Sequence, residues 1–524
     1  MLETIATIWS IVPPLIAIVM VLVTKRVILS LGAGILSAAI IVASFQVKET
    51  LATLGLAMLS PFWVAGEWNF GNIFIMLFIL LLGVITAFVS LSGGTRAFAD
   101  WASTRIKTKR GAKLLTVFLG ILIFVDDYFN SLAVGQIARP VSDRQKVSRA
   151  QLAYFIDSTS APICVISPIS SWGAFLIGQL ALIFGASAAI TYSPLSAFIM
   201  MAPMNFYVIA TFAFVFFFAA TNISLFSMRK HEERAEQTGE LFDPDKDIPG
   251  QLKEDFPEHN AGRVRDLILP IVTLIIVTFA MMIVTGYQES GVWDIWAIFE
   301  NTNVPASLVT GGVVGALLAV VLYVSQMKNN PTASTRWMRV AFTTGIQSMM
   351  PAVIILYLAW TLTDLIGTLE TGEYLAGVVE QANISPNYLP VMMFLLGGLI
   401  AFSTGTSWGS FGILLPIAAT IMLSVEPDLL LPALSAVLAG AVFGDHTSPI
   451  SDTTILSATG AGCNHIDHVV TQIPYAAMAA VVATLAYIVL GITGSVWIGL
   501  LAVVIILVVV LTFLWVRYGK RATV

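Results

Sequence analysis

The chain has 524 residues, 57% of them hydrophobic and 11% charged, with a mean hydropathy of +0.88. Soluble domains carry about 25% charged residues, so a water-soluble globular protein is excluded and a polytopic membrane protein is expected. A net charge of -5 offers no basic field for nucleic acid, and two cysteines, Cys164 and Cys463, are too few for a disulfide framework.

The amino terminus, MLETIATIWS, lacks the basic leader of a secretory signal, so residues 6–24 read as a retained helix. Further apolar runs long enough to cross a bilayer follow at 27–45, 69–91, 195–225, 267–284, 306–324, 340–365, 469–490 and 496–516. Three other apolar stretches carry polar interruptions: 114–138, 151–190 and 388–461.

Basic residues collect in short cytoplasmic loops. Lys25 and Arg26 therefore place the first turn inside and the amino terminus outside. The run 69–91 then delivers Arg96, Arg105, Lys107, Lys109, Arg110 and Lys113 to the cytoplasm, and Arg139, Arg144, Lys146 and Arg149 form the next basic cluster. A full crossing by 114–138 would put that second cluster outside. A re-entrant hairpin opening to the cytoplasm, with Asp126-Asp127-Tyr128-Phe129-Asn130-Ser131 at its tip, removes the conflict, and 151–190 then counts as one broken crossing. In the second half, 388–423 reads as a hairpin opening to the outside, with Ser403 to Gly409 at its tip. A broken crossing over 431–461 follows, and the chain ends inside at Arg517, Lys520 and Arg521. The expected fold is all-α, with about 11 full crossings, two re-entrant hairpins and discontinuous helices.

Asp157-Ser158-Thr159-Ser160-Ala161-Pro162 echoes Asp445-His446-Thr447-Ser448-Pro449, each following a hairpin by a comparable distance. Inverted repeats are therefore expected at 69–226 and 340–491. Around them lie an N-terminal helical hairpin (1–68), a charged cytoplasmic loop (227–264), linking helices (265–339), and a C-terminal helix with a short basic tail (492–524). Irregular backbone at membrane depth is tolerated only where protein or a water-filled cavity satisfies it, so corresponding breaks point to a shared central site. That is the architecture of a secondary transporter.

A carboxylate at the bilayer centre costs about 2.5–3.5 kcal/mol on insertion scales. Asp126, Asp127, Asp157, Asp445 and Asp452 all fall in the expected breaks. Burial penalises the charged carboxylate and a bound cation favours it, so such a group can exchange a proton for a metal ion. Alkali ions take oxygen ligands. Asp127, Asp157, Asp445 and Asp452, the Asn130 amide, the hydroxyls of Thr159, Ser160, Thr404, Thr406, Ser407, Thr447 and Ser448, and unwound carbonyls would supply them. The alternative for each carboxylate is a helix cap or an ion pair; Asp157 resembles an N-cap before Thr159 and Ser160. Asp126 can equally face the cytoplasmic vestibule, and Asp364 lies near the outer end of its span.

His446 is suited to sensing pH or relaying protons, or to a packed hydrogen bond. His465 and His468, in CNHIDH with Cys463 and Asp467, have a zinc-like spacing but too few converging ligands. Trp172 and Trp408 recur in matching SSWGAF and TSWGSF strings; they can gate or wall the site, but packing against glycine is the simpler role. A hydrolase built on Asp445, His446 and Ser448 is disfavoured, because adjacent residues rarely meet in triad geometry and no G-x-S-x-G elbow accompanies them.

The string GDHTSPISDTTILSATGAGCNHIDHVVTQIPYA, residues 444–476, together with FVDDYFN and STGTSWGSFGILLP, resembles the NhaC-type sodium/proton antiporter family of the ion-transporter superfamily. The resemblance runs from about residue 69 to 490. It implies a bacterial inner-membrane transporter that exchanges cytoplasmic Na+ for external H+, with Na+ as transported ion, no cofactor, and no ATP motif. A GxxxxGK[ST] string is indeed absent. The wider superfamily implies paired hairpins, an elevator or rocking movement, and a homodimer in the lipid bilayer. Relatives similar to this family exchange organic anions or take up amino acids, which makes a Na+- or H+-coupled carrier of such a solute the alternative.

Overall fold

Apolar stretches leave their backbone no water to bond, so they must satisfy it internally as helices. The computed structural model is accordingly helical almost throughout. It describes all residues except 1–4, 25, 65, 125, 169, 186–192, 247, 249–261, 328–333, 372, 375–376, 378–384 and 523–524. Lys25, the end of the expected crossing 151–190 and much of the expected loop 227–264 lie outside the described residues.

A short 3-10 turn leads into α1 (Val12–Thr24), followed by α2 (Val27–Val42) and α3 (Val47–Leu59). A two-stranded antiparallel hairpin, β1 (Trp63–Val64) and β2 (Glu67–Trp68), pairs Trp63 with Trp68. The chain continues through α4 (Phe70–Leu91), α5 (Gly94–Arg105), α6 (Lys109–Leu122), α7 (Asp127–Arg144), α8 (Arg149–Ile166), α9 (Ser171–Gly185) and α10 (Pro194–Met201). Next come α11 (Phe206–Thr221), α12 (Phe226–Gln237), α13 (Val264–Ser290), α14 (Ile295–Glu300), α15 (Val304–Met327) and α16 (Thr335–Thr368). The last described helices are α17 (Leu389–Thr404), α18 (Ser407–Val425), α19 (Leu430–Thr447), α20 (Asp452–Ala461), α21 (His465–Thr493) and α22 (Val496–Ala522).

Among the described residues eight stretches are long and apolar enough to cross a membrane. They are α4, α11 with its extension, α13, α15, α16, the stretch Pro427–Thr447 that ends with α19, α21 and α22. The protein is thus a multi-pass membrane protein. Helices α1 and α2 are apolar but shorter, as are α17 and α18.

The helices sort into two groups by packing. Helices α1, α2, α4, α13, α15 and α16 pack on one another and form a frame. Helices α6 to α9, α11 and α17 to α21 pack together around the polar breaks. Small residues set the closest crossings, as in membrane bundles generally. At Gly83 on α4 a Cβ would sit 2.3 Å from the Gly345 carbonyl oxygen of α16, so only glycine on both helices permits this approach.

Several sequence expectations need correction. Residues 195–225 are not one helix: a 3-10 turn, Ala202–Met204, and the Asn205 N-cap divide α10 from α11, with the Asn205 carboxamide accepting from Val208 N. The stretch 126–131 is not an irregular tip: α6 ends at Leu122, and Asp127 to Ser131 already belong to α7. Asp157 to Pro162 do not unwind either. They lie inside α8, because the helix tolerates Pro162 and breaks only at 167–170. Asp157 is therefore no N-cap, whereas Asp126 is one, its carboxylate accepting from Phe129 N at 2.9 Å.

Candidate functional site

The breaks share a construction that the sequence carries but that becomes visible only with the helix ends in place. Helices α8 and α9 are parted at Ser167, Pro168 and Ser170, in a Ser-Pro-Ile-Ser string, and α19 and α20 by the same string, Ser448-Pro449-Ile450-Ser451. Proline cannot donate a backbone hydrogen bond and restricts the residue before it, so each helix ends there. The last serine of each string starts the next helix: Ser170 Oγ accepts from Gly173 N at 2.9 Å, and Ser451 Oγ from Thr454 N at 3.3 Å. In this register Cys164 takes the place of Asp445. The other two breaks match as well, since Asp126 caps α7 as Thr406 caps α18, putting Asp127 and Ser407 at equivalent first positions.

Asp445 lies in the last turn of α19 and is 1% exposed. Ser407 Oγ donates to its Oδ2 at 2.9 Å, and Ser451 Oγ donates to its Oδ1 at 2.5 Å. One carboxylate thus ties the start of α18 to the start of α20. Ser448 is turned elsewhere, its Oγ donating to Phe402 O of α17 at 2.8 Å.

Asp127 begins α7, and the Trp172 indole N–H of α9 donates to its Oδ1 at 3.0 Å. Its Oδ2 is buried without a partner. The next residue, Tyr128, donates its hydroxyl proton to Asp452 Oδ2 at the start of α20, and Asp452 Oδ1 accepts from Thr453 N at 2.8 Å. Asn130 directs its amide nitrogen to Gly120 O and Ile123 O, both at 2.6 Å, which satisfies the carbonyl end of α6 and leaves its buried Oδ1 unpartnered. Asp127, Asp445 and Asp452 therefore converge where four helices begin, and the positive ends of those helices favour their charge.

A cavity of about 780 Å³ between the two helix groups reaches Asp127 and the start of α7. Asp126, Asp127, Tyr128, Phe175 and Trp408 line it on one side, and Ile75, Thr285, Gln288, Glu289 and the segment 299–305 with Leu308 on the other. No lysine or arginine is among these residues. Trp408 stacks edge-on against Phe175 (4.7 Å between centroids) and Trp172 (5.6 Å).

Asp157 belongs to a second polar cluster. Ser457 Oγ donates to its Oδ1 at 3.1 Å, while His468 Nε2 (3.1 Å) and the Gln472 amide bond its Oδ2. Gln472 also donates to His446 O at 2.8 Å, and the His446 ring bonds the Tyr207 hydroxyl at 3.1 Å. All of Asp157, His446, His468 and Gln472 are buried. The CNHIDH string does not converge: His465 bonds Pro449 O, His468 bonds Asp157, and Cys463 donates to Asn464 O. Among the described residues no three His, Cys, Asp or Glu side chains gather as metal ligands. Asp445, His446 and Ser448 likewise face different partners, so no catalytic triad forms.

Four remaining candidates spend their hydroxyl protons inside their own helices. Thr159 donates to Phe155 O, Ser160 to Asp157 O, Thr404 to Ile400 O and Thr447 to Phe443 O. Thr406 accepts from Trp408 N as the cap of α18. Sequence reasoning missed the bonding roles of Trp172, Ser451, Tyr128, His468 and Gln472. The repeated Ser-Pro-Ile-Ser string would have found Ser451; the paired tryptophan strings and the CNHIDH spacing drew attention to Trp172 and His468 but to other roles, and no local signal marked Tyr128 or Gln472.

Comparison with known proteins agrees with this architecture. The model of the Na+/H+ antiporter family matches residues 163–492. An uncharacterised Haemophilus influenzae protein is 46% identical over 511 residues, covering 97% of this chain and 95% of that one. A second protein of that organism, named an uncharacterised Na(+)/H(+) antiporter, is 36% identical over 131 residues, 25% of this chain and 27% of its own. The malate-2H(+)/Na(+)-lactate antiporter of Bacillus subtilis is 28% identical over 152 residues, 28% of this chain and 31% of its own. The chain, a multi-pass secondary transporter, belongs to the Na+/H+ antiporter family.

Proposed function

We propose that this transporter exchanges Na+ for H+ across the bacterial inner membrane by alternating access, with Asp127, Asp445 and Asp452 as the groups that trade a proton for the ion. The reading rests above all on the grouping of these carboxylates at the helix breaks, beside a cavity that reaches Asp127 and whose described lining residues include no lysine or arginine. Ser407, Ser451, the free Oδ1 of Asn130 and the carbonyl ends of α6 and α19 would complete an oxygen shell for sodium. Thr404, Thr406, Thr447 and Ser448 have oxygens near the breaks but weaker claims as ligands, because their hydroxyls already serve the helices. Thr159 and Ser160 fall with Asp157 in the second cluster, and we assign that cluster to holding α8 against α20 and α21.

The halves 69–226 and 340–491 act in this reading as inverted repeats. With basic loops inside, the amino terminus is external, the carboxyl terminus cytoplasmic, and the cavity opens outward, away from the charged loop before α13. The frame would stay fixed while the site-bearing group moves. Carriage of an organic anion, suggested by the name of the Bacillus relative, fits poorly with a cavity bearing Asp126, Asp127 and Glu289 and, among its described lining residues, no lysine or arginine.

Everted vesicles with a trapped pH dye test the reading. Adding NaCl should dissipate an imposed acid-inside gradient through the wild type and not through Asp445→Asn. A gradient untouched by sodium but collapsed by lactate or malate would sink it.

A further inference from the structure

A bare sodium ion has no use for a space of about 780 Å³; that volume is typical of sites for small organic ligands, about 300–1,000 Å³. Its floor is Asp127, 2% exposed, with the Oδ2 oxygen unpartnered. Beside that floor stand the aromatic side chains of Trp408, Phe175 and Tyr128, with Phe299 across the cavity. Glu289 on the rim and Asp126 at the base add like charge, and none of the described lining residues is basic. Aromatic faces attract cations, most of all weakly hydrated organic ones, whereas sodium holds its water too tightly to profit.

We infer that the cavity is a binding site for a small organic ammonium ion, whose charged nitrogen meets Asp127 while its alkyl groups pack on Trp408 and Phe175. Bound there, such an ion occupies the route to the carboxylates that sodium needs. The transporter accordingly accepts it as a second substrate, exchanged one cation for protons by the same carboxylates. This inference takes its motor from the exchange reading above, and its specificity from the aromatic wall alone. An organic anion is repelled by the same walls, and a neutral solute leaves the Asp127 charge without a counter-ion.

The test uses the full chain in proteoliposomes with a trapped pH dye and labelled choline. Choline carries a permanent charge, so it has no neutral form that could leak across the bilayer and mimic exchange. Choline chloride should release internal protons saturably, accumulate label, and compete with sodium. Loss of one cation–aromatic contact weakens binding roughly tenfold, so Trp408→Ala should raise the half-saturating choline concentration by that factor relative to sodium's. Trp408→Phe, which keeps an aromatic ring, should restore most of the difference and guards against mere misfolding. Sodium exchange without choline exchange or competition would overturn the inference while leaving the sodium reading intact. An equal rise for both cations in Trp408→Ala would also overturn it. Choline exchange in the absence of sodium exchange would support it and reject sodium as the substrate.

Discussion

The Trp172 indole nitrogen lies 3.0 Å from Asp127 Oδ1, so the first turn of α9 holds the carboxylate that opens α7. Trp172 is fully buried, and its ring packs against Trp408 and Phe411. A rigid aromatic donor thus fixes one carboxylate oxygen and leaves the other facing its surroundings without a partner. A hydrogen bond to a charged group contributes about 1.5–3 kcal/mol. Trp172→Phe keeps the packing and removes the donor; the half-saturating sodium concentration in vesicles should rise roughly tenfold or more, and an unchanged value would show that the bond does not orient Asp127.

Asp445 should be indispensable and its two serines graded. Asp445→Asn removes the charge from a residue bonded by both Ser407 and Ser451, and sodium-dependent proton release should vanish. Ser407→Ala and Ser451→Ala each remove one donor and should lower apparent sodium affinity while leaving exchange measurable. Ser451→Ala should be the more damaging, because Ser451 also caps α20, a role that costs about 1 kcal/mol to lose.

The Asp157 cluster predicts a loss of stability in place of a selective loss of transport. Asp157, His468 and Gln472 are each 0% exposed, and removing one partner from such a set leaves the others unsatisfied, at about 3–5 kcal/mol. Asp157→Leu should lower the melting temperature in detergent strongly. A variant with wild-type melting and no exchange would instead move Asp157 into the transport site.

Helix α19 crosses α17 at Gly440, where an added Cβ would stand 2.0 Å from Phe394 O. That oxygen is backbone and cannot step aside. Overpacking costs about 1–3 kcal/mol or more, so Gly440→Ala should reduce folded yield and thermal stability, measured by fluorescence size-exclusion after heating.

Both cysteines are buried, which gives a low background for labelling. Asn303→Cys, on the cavity rim, should react with a membrane-impermeant maleimide in intact cells. Glu236→Cys, on the exposed face of α12 with its side chain 60% accessible, should react only in everted vesicles. The reverse pattern would invert the proposed orientation.

The membrane class, the apolar spans and the location of chemistry near DDYFN, STGTSWG and GDHTSPISD follow from local composition, because hydrophobic runs and the polar residues that interrupt them are properties of neighbouring positions. Break positions were less legible. Asp157 to Pro162 looked like an unwound stretch because Ser, Thr and Pro are common in turns, yet in α8 the hydroxyls bond back to carbonyls of their own helix and the chain stays helical to Ile166. The proline that ends a helix is Pro168, in the same string as Pro449, and comparison of helix ends was needed to see the match.

The sequence by itself determined that the chain is a helical membrane protein with buried carboxylates, since the cost of placing charge in lipid depends on residue type and span alone. Only the tertiary structure decided which partners each carboxylate takes. Asp127 takes Trp172, Asp452 takes Tyr128 and Asp445 takes Ser407 and Ser451, while Asp157 turns to His468 and Gln472. Such pairings join residues far apart in the chain, and a buried polar group takes whichever partner the packing of helices brings within hydrogen-bonding distance.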